Sequence, residues 1–147
     1  MQCVILAAGE GSRMRPLTSS RPKVMLPLVG KPMLEHLIRN VKEAGIKEII
    51  IVVGYKEEAI REYFGDGRSF GVSITYVVQR KQLGTADALR TAEPFITDTF
   101  LMLNGDMVIE IGDLQKICRT EAPVMAVTTT THPQDFGVVT LSKGKIA

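Results

Sequence analysis

The run Ile49-Ile50-Ile51-Val52-Val53 constrains the fold more than any other segment of the chain. Five adjacent β-branched residues leave no polar face, so a strand built from them must be covered on both sides. Strands of that kind belong to parallel sheets sandwiched between helices. The flanking segments supply the helices. Before the run, Leu34, Leu37, Ile38 and Val41 recur at i, i+3, i+4 and i+7, which puts them on one face of a helix over residues 32–41. Pro32 suits its first turn and Gly45 its termination. After the run, residues 57–64 read as a second helix.

The same alternation extends along the chain. Val4-Ile5-Leu6 reads as a buried strand entering a turn of small residues and glycine, and residues 72–78 and 100–103 read as strands. Residues 85–92, with Gly84 or Thr85 near the N-cap, and residues 111–119 read as helices. Residues 124–130 and 137–141 are expected as two closing strands. The 147 residues suit one domain and carry no internal repeat or low-complexity tract. The expected fold class is α/β: a Rossmann-like three-layer sandwich with a mostly parallel sheet. Ligands in such sheets bind at the carboxyl ends of the strands.

Composition narrows the classes of function. At 45% hydrophobic and 23% charged residues the chain is expected to fold into a compact core. A net charge of +2 is too small to argue for a nucleic acid or a membrane surface as partner. No apolar stretch reaches the roughly 20 residues of a membrane span. Met1 leads straight into a short apolar run, so no signal peptide is expected. Cys3 and Cys118 form no metal or redox motif; they read as small hydrophobes in a reducing, cytoplasmic compartment.

The residues that carry chemistry follow the expected strands. After the first comes Leu6-Ala7-Ala8-Gly9-Glu10-Gly11-Ser12-Arg13, inside a long Gly- and Pro-punctuated segment over residues 9–31 that reads as an ordered functional loop. Gly9 and Gly11 let the backbone turn and present N–H groups to an anion. Arg13, Arg15, Arg21 and Lys23 bring four cations close to them, as a triphosphate requires. A dinucleotide fingerprint is excluded, because its third glycine position is Met14, Pro16 follows, and Gly54-Tyr55 ends the second strand where an acidic residue is needed. A Walker loop is excluded for want of Gly-Lys-Ser/Thr. Taken alone, the segment would equally suit a glycine turn with solvated basic residues.

The wider pattern is more specific. Residues Val4 to Thr18, followed by Arg21-Pro22-Lys23-Val24-Met25-Leu26-Pro27-Leu28 and Gly30-Lys31-Pro32-Met33, closely resemble the sugar-1-phosphate nucleotidyltransferases, or sugar-nucleotide pyrophosphorylases. Within that family the pattern is nearest to glucose-1-phosphate thymidylyl- and uridylyltransferases and to the bifunctional N-acetylglucosamine-1-phosphate uridylyltransferases. The resemblance implies transfer of a nucleotidyl group from a nucleoside triphosphate to a sugar 1-phosphate, with release of pyrophosphate. It implies that Leu6, Ala7, Ala8, Gly9 and Gly11 line the base and ribose. It further implies that Arg13 clamps the triphosphate and that Lys23 touches the phosphates during transfer.

Gln79-Arg80-Lys81-Gln82-Leu83-Gly84-Thr85-Ala86 follows the third strand, where the family reads the base. A Gln amide offers an acceptor and donors, so Gln79 can match N3–H and a carbonyl of uracil or thymine. A guanine reader would favour a carboxylate. UTP or dTTP is therefore favoured, with ATP remaining an alternative. Gly84 and Thr85 belong to the same segment and double as a helix cap. Leu103-Asn104-Gly105-Asp106 ends the fourth strand, and an apolar strand running into Gly-Asp puts a carboxylate at the binding edge. Mg²⁺ takes one or two such oxygens together with phosphate oxygens. In the family this position, Asp106, is a Mg²⁺ ligand and the adjoining glycine, Gly105, approaches the sugar.

Asp135-Phe136-Gly137 matches the family's aromatic-glycine segment near the sugar, which makes Gly137 a further candidate. The family's second metal ligand and its Glu-Lys-Pro segment have no counterpart in these residues. Residues 1–147 are therefore expected to form an incomplete nucleotidyltransferase domain, truncated on its C-terminal side. The alternative is a non-catalytic nucleotide-binding or regulatory domain of the same fold. An uncovered sheet edge could pair with a second copy, so a homo-oligomer is also an expectation. His36 reads as structural, on the polar flank of its helix.

Overall fold

The computed structural model describes residues 1–135, 137–142, 145 and 146. In chain order its elements are β1 (Gln2–Ala7), the hairpin β2 (Pro27–Leu28) and β3 (Lys31–Pro32), α1 (Met33–Glu43), β4 (Glu48–Val53), α2 (Glu57–Phe64), β5 (Ser73–Val78), α3 (Thr85–Ala92), β6 (Phe100–Asn104), α4 (Ile111–Arg119) and a second small hairpin, β7 (Leu141–Ser142) with β8 (Lys145–Ile146). The four long strands form one sheet in the order β5-β4-β1-β6. Every pairing in it is parallel: Ile5 lies opposite Ile51 of β4 and Leu103 of β6.

The β-branched run sits where its sequence requires. β4 is central, between β1 and β5, and Ile49 through Val53 are all buried. Strand periodicity sends alternate residues to opposite faces. On one face Cys3, Ile5, Ala7, Ile49, Ile51 and Val53 meet Leu34, Leu37, Ile38 and Val41 of α1, Ile60 and Phe64 of α2 and Leu114 of α4. On the other, Val4, Ala8, Ile50, Val52 and Val77 meet Ala88 and Ala92 of α3. This is the expected three-layer sandwich, with three helices on one side and one on the other. The small residues of α3 set it close against β1 and β4.

Helix α1 ends as its composition predicts. Gly45 takes φ +97°, Gly45 N–H donates to Lys42 O at 2.9 Å, and Ile46 N–H donates to Val41 O at 3.1 Å. This is a Schellman closure, with Ile46 buried. Pro32 ends β3 and caps α1 rather than lying inside it. The 9–31 segment is ordered around two single-turn 3₁₀ helices, Ser12–Met14 and Lys23–Met25, and the β2–β3 hairpin. His36 bonds the carbonyl of Leu28 at 2.8 Å and so ties that hairpin to α1.

The two closing strands are corrected. Residues 124–130 carry no strand and are exposed throughout. Of residues 137–141, only Leu141 enters a strand, and it pairs with Ile146 in the local two-residue ladder. Val, Met and Thr favour strands only where a neighbouring strand accepts their backbone bonds and side chains. β6 has β1 as its one strand partner among the described residues, so that neighbour is absent here. Phe136 of the aromatic-glycine segment lies outside the described residues.

Candidate nucleotide-binding cleft

The strand order reverses at β1. The chain steps from β1 outward to β4 and β5, then returns to lay β6 on the other side of β1. The segments that leave β1 and β6 therefore part, and a crevice opens at their carboxyl ends. A cleft of about 380 Å³ occupies this place. Leu6, Ala7, Ala8, Gly9 and Gly11 form one wall, with Arg13, Lys23 and Val24 beside them. Gln79, Gln82, Gly84, Thr85 and Ala88 form the second wall, and Asn104 and Asp106 close the third.

Hydrogen bonds to main-chain carbonyls fix the first wall. Leu6 O accepts from Gly105 N–H at 2.8 Å, and Ala8 O accepts from Tyr55 N–H at 3.2 Å and from Gln82 Nε2 at 2.9 Å. A Cβ on Gly105 would come within 3.0 Å of both Leu6 O and Val24 Cγ1. Close packing at the end of β1 is therefore a role for this glycine that the sequence alone does not reveal. Gly11 turns at φ +66°, and a Cβ there would lie 2.9 Å from Lys23 Cβ. Thr18, fully buried, donates from Oγ1 to Gly11 O at 2.9 Å. The glycine loop is thus clamped directly onto the turn that carries Lys23.

Charge is distributed unevenly around the cleft. Arg15 is taken up by an ion pair with Glu10. Arg13 is exposed, lines the cleft and makes no salt bridge among the described residues. Lys23 Nζ pairs with Asp106 Oδ2 at 2.5 Å, and both side chains remain about one-third exposed, at 33% and 36%. No group of three or more His, Cys, Asp or Glu side chains that could cage a metal occurs among the described residues. A single carboxylate beside open cleft suits a cation that takes most of its ligands from phosphate and water, as Mg²⁺ does, and does not suit a protein-only cage.

On the second wall Gln79 is 7% exposed and Asp87, not anticipated, holds its amide. Gln82, Asn104, Val24 and Ala88 are further lining residues that the sequence reading did not single out. Small Ala88, one turn after Thr85 on a helix, was the available signal for a floor. Gln82 and Asp87 gave none, since a Gln in a polar loop and an Asp in a first helical turn are ordinary. Of the thirteen candidate positions, Gly105 and Gly137 are outside the cleft lining: Gly105 is buried between two lining residues, and Gly137 is exposed.

Comparison with known proteins follows the same outline. The family model described as nucleotidyl transferase matches residues 2–147. The chain belongs to the nucleotidyl transferase family. A "Bifunctional protein GlmU" of Methanococcus maripaludis is 45% identical over 141 residues, covering 96% of this chain and 33% of that protein. "UTP--glucose-1-phosphate uridylyltransferase AglF" of Haloferax volcanii is 43% identical over 118 residues, covering 79% of this chain and 48% of that protein. A Bacillus anthracis structure described as a glucose-1-phosphate thymidylyltransferase, in complex with sucrose, superposes with TM-score 0.81 at 30% identity, over 99% of this chain and 62% of that one. This nucleotidyl transferase chain thus spans about a third of the length of its GlmU relatives.

Proposed function

We propose that the cleft binds a nucleoside triphosphate, UTP or dTTP, and that residues 1–147 are the nucleotide-side part of a domain that transfers its nucleotidyl group to a sugar 1-phosphate. The observation that carries this reading is the convergence of Arg13, Lys23 and Asp106 with the Gly9–Gly11 loop on one cleft at the strand-order reversal. The family supports it, as do relatives described as acting on UTP and glucose 1-phosphate.

The reaction joins two polyanions. One pair of unit charges at about 4 Å costs on the order of 4 kcal/mol at an effective dielectric near 20. Cations and positioning therefore dominate catalysis. The sugar-phosphate oxygen attacks the α-phosphorus in line, the bond to the β-phosphate oxygen breaks, and pyrophosphate leaves; no covalent enzyme intermediate is required. Arg13 holds the β- and γ-phosphates, and Lys23 holds the α-phosphate or the incoming sugar phosphate. Leu6, Ala7, Ala8, Gly9 and Gly11 pack along base and ribose, while Gln79, Gly84 and Thr85 face the base. Asp106 is the residue that would hold Mg²⁺, which when bound neutralises phosphate charge as a Lewis acid. Gly105 and Gly137 are assigned to the sugar side.

A second reading, nucleotide binding without transfer, is favoured by one observation: Gly137 and residues 124–130 lie exposed and build no sugar-binding wall. A pyrophosphate-release assay with UTP or dTTP and a panel of sugar 1-phosphates separates the two when run on a form of the protein that carries sugar-side segments in addition to residues 1–147. Release dependent on a sugar phosphate in that form supports transfer; binding of UTP without release in it supports the second reading. Two lesser parts of the proposal are a cytoplasmic location, supported by the unpaired Cys3 and Cys118, and self-association through β6. Among the described residues that strand is bonded on one side only, and it exposes Phe100 and Met102. A monomer in sedimentation at high concentration would contradict the latter.

A further inference from the structure

The Gln79 amide has two ends of opposite chemistry, and the structure leaves only one of them for a ligand. Gln79 Nε2 donates to Asp87 Oδ2 at 2.8 Å and to Gly84 O at 3.4 Å. A carboxylate oxygen and a peptide oxygen accept and cannot donate, so the nitrogen end is fixed toward them and both of its hydrogens are used. Reversing the amide would set lone pair against lone pair. The carbonyl end has no donor among the described residues, and no side-chain nitrogen or oxygen there is sealed from solvent without a partner. Oε1 is therefore open to solvent, on a residue that lines the cleft.

We propose that Asp87 is a positioning residue that locks Gln79 as an acceptor only, and so makes the cleft select a pyrimidine that carries an N3–H, uracil or thymine, over cytosine. Uracil and thymine donate from N3 to a fixed acceptor; cytosine presents a lone pair at the same position and is repelled. A Gln free to rotate would accept either base by turning its amide. Specificity thus arises from a carboxylate that touches no substrate. The inference rests on the reading of Gln79 as the base reader, and the experiment separates the two.

Affinities for UTP and for CTP are measured by titration calorimetry on the 147-residue chain and on Asp87→Asn, Asp87→Glu and Gln79→Ala. The wild-type chain is expected to prefer UTP by at least about tenfold, the worth of one lost hydrogen bond. Asn at position 87 can donate as well as accept, which frees the Gln79 amide. Asp87→Asn should bring the two affinities within about threefold, largely by tighter CTP binding. Asp87→Glu, which keeps the carboxylate, should restore the preference. In the ligand-free chain, the Gln79 side-chain NH₂ resonances should move on Asp87→Asn and stay near their wild-type positions on Asp87→Glu.

A merely structural role for Asp87 would weaken UTP and CTP alike and leave their ratio unchanged; that result overturns the inference. If Gln79→Ala also leaves the ratio unchanged, the base-reader assignment itself falls. If Gln79→Ala abolishes the preference and Asp87→Asn does not, only the role of Asp87 falls. Failure of the wild-type chain to bind either triphosphate at millimolar concentration overturns both.

Discussion

Lys23 and Asp106 stand 83 residues apart in the chain, yet Nζ and Oδ2 meet at 2.5 Å across the crevice where the strand order reverses. The pair joins the loop after β1 to the end of β6, the two segments that part at that crevice. Each partner is about one-third exposed, so the contact adds little stability in water and its importance lies in what each group does to phosphate.

Asp106→Asn removes the carboxylate and frees the ammonium. Metal-free UTP affinity should hold or rise, because a negative charge leaves the cleft, while most of the gain in affinity on adding Mg²⁺ should disappear. Calorimetry with and without Mg²⁺ checks this; a full Mg²⁺ gain in the variant would remove Asp106 from the metal site. In a form of the protein that releases pyrophosphate, Lys23→Ala and Arg13→Ala should each lower turnover at least about a hundredfold.

Gly11→Ala tests the clamp between the glycine loop and the Lys23 turn. The backbone there is left-handed, and the new Cβ would lie 2.9 Å from Lys23 Cβ. The substitution should cost about 1–3 kcal/mol in a denaturant titration and weaken UTP binding beyond what Gly9→Ala does. At Gly9 an added Cβ meets nothing within 4 Å.

Val29 offers a stabilising change. It turns the β2–β3 hairpin at φ +48°, ahead of Gly30 at +78°, and is 90% exposed. A β-branched residue is strained in the left-handed region, and no burial offsets the strain. Asn-Gly is the preferred pair for a two-residue hairpin turn. Val29→Asn should raise the unfolding free energy by about 1 kcal/mol, read as a higher denaturant midpoint with an unchanged slope.

Glu35 sets an acid dependence. Its side chain is buried, which pushes the carboxyl upward, but hydrogen bonds from Tyr63 and Arg39, with Lys31 adding, outweigh burial and hold it below the ordinary value of 4.5. Tyr63 donates at 2.6 Å and Arg39 at 2.7 Å. A carboxyl depressed on folding contributes stability above its unfolded pKa and loses it as pH falls through the folded one. Stability should therefore fall on acidification below about pH 4.5, and Glu35→Gln should flatten that part of the profile. Equal acid slopes in the variant and the wild type would contradict this.

The legible part of the fold was the part with local periodicity. Ile49–Val53 and the Leu34–Val41 stripe imply their elements because a strand repeats every two residues and a helix every 3.6, whatever surrounds them. Residues 124–130 misled for the opposite reason: Val and Thr form a strand only against a neighbour, and no window of sequence says whether one exists. The cleft divides in the same way. Gly9, Gly11, Arg13 and Lys23 cluster along the chain and could be read together. Gln82 on Ala8 O, Asp87 on Gln79 and Lys23 on Asp106 are meetings made by the sheet. Spacing places Gln79 at the end of a strand but does not give the direction in which its amide points.

Triphosphate binding in the cleft is tested most directly by a calorimetric titration of the 147-residue chain with UTP in the presence of Mg²⁺, alongside Arg13→Ala. Saturable one-to-one binding is expected, weakening at least about tenfold in the variant, since a charge-assisted phosphate contact is lost. Absence of UTP and dTTP binding at millimolar concentration, or equal affinity in Arg13→Ala, would contradict it.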